Sequence, residues 1–275
     1  MRAGLAVGAV GVGPFLTLAV ALVACTSPTA AGPSGTAVEP TELTVFAAAS
    51  LRQAFERLAQ RYMSVAPGVR LTLAFDASSA HRARIEQGAR ADLFASADLA
   101  NPQGLADAGL GAGPPRAFAG NLLAIVTPPD DPGRVATPAD LARQGVRIVA
   151  AGDTVPITKY ATEAVANLAR LPGYPADYAR RVAANIVTRE DDVAAIAAKV
   201  ELGEGDAAIV YVTDAKRVES LRLVPIPAEA NVTATYAAIR LADAPNPAAA
   251  DAFLDWLGGV EAQAELRSYG FSAAP

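Results

Sequence analysis

From residue 43 onward, short apolar runs alternate with segments of helical spacing, and this rhythm limits the chain to α/β architectures. Leu43–Ala49 reads as a buried strand. Ser50 follows, and then Leu51, Phe55, Leu58, Ala59 and Tyr62 recur at the spacing of one helix face. Pro67-Gly68 closes that unit. Val69–Phe75 reads as a second strand, Ser78 or Ser79 opens a helix to about Gln87, and Ala91–Ser96 reads as a third strand. Strand-helix-strand-helix-strand predicts parallel pairing with helices covering the faces. The rhythm returns with strands over Asn121–Thr127, Val146–Ala150 and Ala207–Val212, and helices over Tyr160–Leu171 and Asp191–Leu202. Strands at 223–226 and 232–240 and one or two helices within 246–268 complete it. Two α/β lobes are expected, with a discontinuous first lobe of residues 42–120 plus 229–275 and a second of 121–228. The cleft between them, at the carboxyl ends of parallel strands, is where a ligand is expected.

What precedes residue 42 looks like an address. Met1–Ala24 holds one charge, Arg2, and a long apolar run interrupted by Gly4, Gly8, Gly11, Gly13 and Pro14, which fits a processed export signal better than a membrane span. It ends Leu22-Val23-Ala24-Cys25, similar to the lipoprotein signal, so that the sole cysteine becomes a lipidated N-terminus. The stretch from Thr26 to Thr41 is rich in Ser, Thr, Pro, Gly and Ala and reads as a flexible tether. The folded part is thus expected outside the cytoplasmic membrane and held to it by acyl chains, on the periplasmic side where an outer membrane exists.

Composition narrows the chemistry. The chain of 275 residues has 23 Lys and Arg against 28 Asp and Glu. Removing residues 1–24 takes away only Arg2, so the processed charge is 22 minus 28, or -6. A general nucleic-acid binder needs a basic surface and is disfavoured. One Cys and one His exclude an intrachain disulfide and any zinc site built mainly from thiolate and imidazole. No phosphate loop of the Gly-x-x-x-x-Gly-Lys-Ser/Thr kind is present.

Several segments, taken together, resemble the molybdate-binding (ModA) family of ABC uptake systems. They are Thr44–Leu51, Phe75–Ser79, Ile85–Asp98, Gly152–Pro156, Ile209–Ala215 and Tyr269–Phe271. The resemblance implies the two-lobed periplasmic-binding-protein type II fold with a central inter-lobe cleft. It implies capture of molybdate, and of tungstate as well, for delivery to a permease with its ATPase subunit, with no cofactor, no catalysis and a monomeric receptor. By motif, the oxyanion takes hydrogen bonds from the hydroxyls of Ser50 and Ser78, the backbone amides of Ile157 and Val193, and the hydroxyl of Tyr211.

The residues support such a site in their own right. Ser50 and Ser78 each sit between a strand and a helix, where free amides and a hydroxyl share one space and the helix dipole favours an anion. The plain alternative is that each serine merely caps its helix. Pro156 restricts its predecessor and can aim the amide of Ile157. All five donors are neutral, and donor-only lining favours anions without a proton over hydrogen phosphate. A receptor for another tetrahedral oxyanion, such as sulfate or thiosulfate, is the first rival reading. A serine hydrolase is the second; both serines lack the Gly-x-Ser-x-Gly elbow. Among nearby charges, Lys159 is expected on a solvated face, Asp76 turned away or paired with Arg82 or Arg84, and His81 at the surface. Asp92, Asp98 and Asp214 are expected to act as loop braces and caps.

Overall fold

In the computed structural model, residues 39–275 are described; Cys25, the export signal and most of the tether lie outside them. Two five-stranded sheets organise this part. The first has the order β2-β1-β3-β10-β4, from β1 (Thr41–Ala48), β2 (Val69–Asp76), β3 (Leu93–Ser96), β4 (Arg116–Asn121) and β10 (Ala234–Arg240). The second has the order β7-β6-β8-β5-β9, from β5 (Leu123–Thr127), β6 (Ile148–Ala151), β7 (Ile186–Glu190), β8 (Ala207–Tyr211) and β9 (Arg222–Pro225). The parallel pairing of β1 with β2 and β3 is as expected. β10, arriving from the far end of the chain, runs antiparallel between β3 and β4.

Period-two burial drives the first sheet. Leu43, Val45 and Ala47 of β1 are fully buried on one face. Helices α1 (Arg52–Val65), α8 (Pro247–Leu257) and α9 (Val260–Ser268) belong to this core, with Tyr62 packed edge-on to Phe253 at 5.0 Å and tilted against Trp256 at 5.1 Å. The apolar residues of the opposite face, Phe94 and Ile239, form a smaller core with Ile85 of α2 (Ser78–Glu86) and Leu105 of α3 (Ala100–Asp107). The second sheet is interleaved with α4 (Pro156–Leu168), α5 (Tyr178–Ala184), α6 (Val193–Glu201) and α7 (Val212–Arg217). β8 is buried at all five positions, as a central strand covered on both sides must be.

The chain passes between the sheets twice. One residue, Leu122, separates β4 from β5, and its carbonyl accepts from the Val212 amide at 2.8 Å. The return runs from Pro225 to Ala234, where the Asn231 side chain accepts from the Leu123 amide and donates to the Leu123 carbonyl. Asp92 braces the first sheet by accepting from the amides of Thr44 and Asn246, and Asp98 ties Ser96 to Asn101, as read from the sequence. Asp76 is paired with Arg84, also as read.

Two expectations are corrected. His81 is not at the surface; it is fully buried, stacked on Phe46 at 4.7 Å and edge-on to Phe94. It lies three residues after Ser78 and four before Ile85, which places all three on the sheet-facing side of α2. Neither ring nitrogen has a hydrogen-bond partner, and burial holds its pKa below the usual histidine range. Asp214 is no brace or cap either. It is buried, its Oδ2 has no partner, and Arg217 stands 3.9 Å away. Desolvation pushes its pKa up to about 7, against the pull of Arg217, and the nearby carboxylate of Asp192 adds to the rise.

Candidate functional site

Ser50 and Ser78 stand side by side. Ala48 and Asp76 are paired partners at the ends of parallel neighbours β1 and β2, and each serine lies two residues beyond. Adjacent strands run about 4.8 Å apart, so the two serines lie beyond the same edge of the sheet. Neither serine caps a helix. Ser50 falls in a 3-10 turn (Ala49–Leu51), and Ser78 is the first residue of α2, with Ala77 in the cap position. The capping explanation therefore fails for both. Each oxygen instead accepts a hydrogen bond: Ser50 Oγ from Tyr236 Oη at 2.9 Å, and Ser78 Oγ from the Ala97 amide at 3.0 Å. Each hydroxyl keeps a hydrogen that has no acceptor among the described residues.

The second sheet supplies matching donors at the carboxyl ends of its parallel strands. β6 and β7 end together at the pair Ala151 and Glu190. Beyond β6, Pro156 opens α4, four positions earlier than the helix start read from the sequence, and Ile157 follows it. Proline lacks the N–H that a first-turn residue would leave unpaired, so the first free amide offered by α4 is that of Ile157. Beyond β7, Asp192 caps α6 by accepting from the Ala195 amide at 2.8 Å, and Val193 is the first helical residue. First-turn amides have no intrahelical acceptor. The amides of Ile157 and Val193 have none elsewhere among the described residues. Both side chains are buried, which keeps water from the backbone behind them.

Tyr211 closes β8 with 1% of its surface exposed, and its Oη has no hydrogen-bond partner. Burial pushes its pKa far above the usual tyrosine value, so the phenol keeps its proton. Its ring packs edge-on to Tyr236 at 5.6 Å and to Tyr160 at 6.4 Å. These contacts bring the sheets together. Tyr236 belongs to β10 of the first sheet and Tyr160 to α4 of the second. Tyr160 Oη accepts from the Thr235 amide at 3.3 Å, Asn121 Nδ2 donates to Thr213 Oγ1 at 2.8 Å, and α6 packs against the turn that carries Ser50.

The expected residues thus divide in three ways. Ser50 and Tyr211 both meet Tyr236, one by a hydrogen bond and the other by ring packing, and α6, which Val193 opens, packs against the turn that carries Ser50. Ser78 joins through its neighbour Ser50. Ile157 joins through Tyr160, one helical turn on, whose ring meets Tyr211. Ser50 also lines a cavity of about 170 Å³ with Arg52, Thr213, Asp214, Lys216 and Arg217. Ile157 contributes its side chain to a separate, apolar cavity of about 250 Å³ between α4 and α5, away from the serines. Lys159 is exposed, as expected.

Sequence reasoning missed Asn121, Tyr160 and Tyr236. Asn121 had a signal: a buried amide opening an otherwise apolar strand needs a reason. Tyr160 and Tyr236 had none, because each looks like one more apolar position of its helix or strand.

Comparison with known proteins bears on this geometry. A model of the family described as bacterial extracellular solute-binding protein matches residues 43–272. A molybdate-binding protein ModA of Mycobacterium tuberculosis is 35% identical over 257 residues, covering 93% of this chain and 94% of that one. Among solved structures, the periplasmic molybdate-binding protein of Azotobacter vinelandii superposes with a TM-score of 0.71 at 22% identity, over 85% of this chain and 100% of that one. The sulfate-binding protein SubI of M. tuberculosis gives a TM-score of 0.75 at 19% identity, over 85% and 87%. At such identities the two structures speak to the fold alone, and the fold they share with this chain is the two-lobed periplasmic-binding-protein type.

Proposed function

The chain belongs to the bacterial extracellular solute-binding protein family, and from that premise we propose that it captures molybdate, and tungstate with it, for import by an ABC permease and its ATPase subunit. This family binds solutes and is not an enzyme family. The observation that carries the reading is that the five expected donors, all neutral, lie just beyond strand ends and at helix starts of the two sheets, none of them with an acceptor among the described residues. The fully buried, unpartnered phenol of Tyr211 is the most telling of them. A buried donor left unpaired is costly, and a ligand made only of acceptors removes that cost.

In this reading, the hydroxyls of Ser50 and Ser78 hold the oxyanion from the lobe of residues 42–120 plus 229–275. The amides of Ile157 and Val193 and the hydroxyl of Tyr211 hold it from the lobe of residues 121–228. Each bond to a dianion is charge-assisted and contributes roughly 1.5–3 kcal/mol, so no lysine or arginine is needed at the centre. A ligand that contacts both lobes favours the conformation in which they are together, and transport energy comes from the partner ATPase. The receptor works as a monomer without a cofactor, tethered outside the cytoplasmic membrane by a lipidated Cys25. Among the described residues no helix is long and apolar enough to cross a membrane.

Isothermal titration with molybdate, tungstate, sulfate and phosphate tests this. Tight binding of the first two and weak or absent binding of the others is expected. Equal heats for molybdate and sulfate would assign the site to the general sulfate-type alternative, and no heat with any oxyanion would remove the reading.

A further inference from the structure

Tyr236 is fully buried and cannot swing. Its ring sits among Phe271 at 5.3 Å, Tyr211 at 5.6 Å and Phe118 at 6.3 Å. Three hydrogen-bonding groups run in sequence through it. Asn121, at the end of β4, donates from Nδ2 to Thr213 Oγ1 at 2.8 Å and to Tyr236 Oη at 3.4 Å. Tyr236 Oη donates in turn to Ser50 Oγ at 2.9 Å. Burial keeps the phenol protonated, so it remains a donor at any working pH.

A serine hydroxyl is ambivalent: by rotating, it can offer its hydrogen or a lone pair to a ligand. At Ser50 that choice is restricted. With an amide hydrogen of Asn121 directed at its oxygen, Tyr236 is favoured as the donor in its bond to Ser50. The phenolic hydrogen fills one of the two lone pairs of Ser50 Oγ, and because the serine's own hydrogen has no acceptor among the described residues, the ligand is the acceptor left for it. We propose that Tyr236 is a positioning residue that commits Ser50 to donating, and so makes the site select oxyanions without a proton over those that carry one. The proposal rests on Ser50 being part of the oxyanion site proposed above. It concerns a residue that never touches the ligand, and it gives donor-only selectivity a physical source beyond the identity of the five donors.

Removing the phenolic oxygen returns the choice to Ser50. In Tyr236→Phe the serine is free to turn its lone pair toward the O–H of hydrogen phosphate, whose remaining proton is what the native site rejects. Titration calorimetry of the full-length protein at pH 7.5, with molybdate and with inorganic phosphate, reads both effects. Molybdate affinity is expected to fall roughly tenfold, and the molybdate-to-phosphate preference to narrow by at least as much. In a Ser50→Ala background, Tyr236→Phe should cause no further loss of molybdate binding, because the group it positions is gone. If Tyr236 served only to pack the core, its effect would be equal in both backgrounds and the preference would not move; either result overturns the proposal. Asn121→Leu, which leaves the phenol but removes the hydrogen that sets its direction, should narrow the preference with a smaller loss of molybdate affinity. An unchanged preference in that variant counts against the relay even if Tyr236→Phe does not fold. Absence of molybdate binding by the unaltered protein is a different failure, that of the parent reading.

Discussion

Replacing Asp214 by asparagine should make the protein more stable above neutral pH, an unusual direction for a substitution at a buried polar position. The carboxyl sits in the interior with one oxygen unpartnered and its nearest cation, Arg217, 3.9 Å away. Its pKa rises from 3.8 to about 7 on folding. Between those values the folded state holds a proton that the unfolded chain has released, so stability falls as pH climbs through this window and the loss is complete above about 7. About three units at 1.36 kcal/mol each give a penalty on the order of 4 kcal/mol at pH 8. Asparagine is nearly the same shape and does not ionise, but its amide must also find partners, at about 1–3 kcal/mol if it finds none. The net gain at pH 8 is therefore about 1–3 kcal/mol, shrinking toward zero or reversing near pH 4. Urea unfolding of both proteins at half-unit steps from pH 4.5 to 8.5 measures the difference directly, and contributions common to both cancel. Parallel stability curves across that range would show that Asp214 titrates normally and that the burial argument is wrong.

Three further substitutions probe the site and its supports. Tyr211→Phe removes a buried hydroxyl that has no protein partner; molybdate affinity should drop by roughly 1.5–3 kcal/mol, one to two orders of magnitude, while thermal stability without ligand holds or rises, and a fall in that stability with unchanged affinity would assign the hydroxyl a purely structural role. Asp192→Ala removes the cap of α6, which should cost about 1 kcal/mol and lower the melting midpoint by about 2–4 °C; molybdate binding should weaken too, since the Val193 amide loses its fixed direction. His81 is held neutral in the folded state, so below its unfolded value near 6.5 the unfolded chain takes up the extra proton and stability is lost as pH falls. His81→Leu should flatten that acid-side slope in a comparison of unfolding at pH 5 and pH 7, and an unchanged slope would place the acid sensitivity elsewhere.

Much of this molecule is written locally. Alternating strands and helices of short period settle an α/β fold, because a strand buried on both faces and a helix with one apolar stripe can satisfy each other only in layers. The positions of Ser50, Ser78, Ile157, Val193 and Tyr211 relative to strand ends and helix starts are local too, since a junction between elements is a property of neighbouring residues. The sequence likewise pointed to Asp92 and Asp98 as braces and to Asp76 as turned away or paired with Arg82 or Arg84; Asp98 and Asp76 find partners close by in the chain, whereas Asp92 also holds Asn246 from far along it.

Tertiary structure decided what depends on residues far apart in the chain. β10 slots between β3 and β4 from more than a hundred residues away, and this alone brings Tyr236 to Ser50, 186 positions distant. The junction of the sheets buries Asp214 without a counter-charge within hydrogen-bond reach, and the packing of α2 buries a histidine that a sequence window shows as one polar residue among arginines. Side-chain type fixes what a group can donate or accept. Whether it is desolvated, and which partner holds it, is set by surfaces that meet only when the chain is folded, because burial and hydrogen-bond direction are properties of the assembled surroundings and not of the residue.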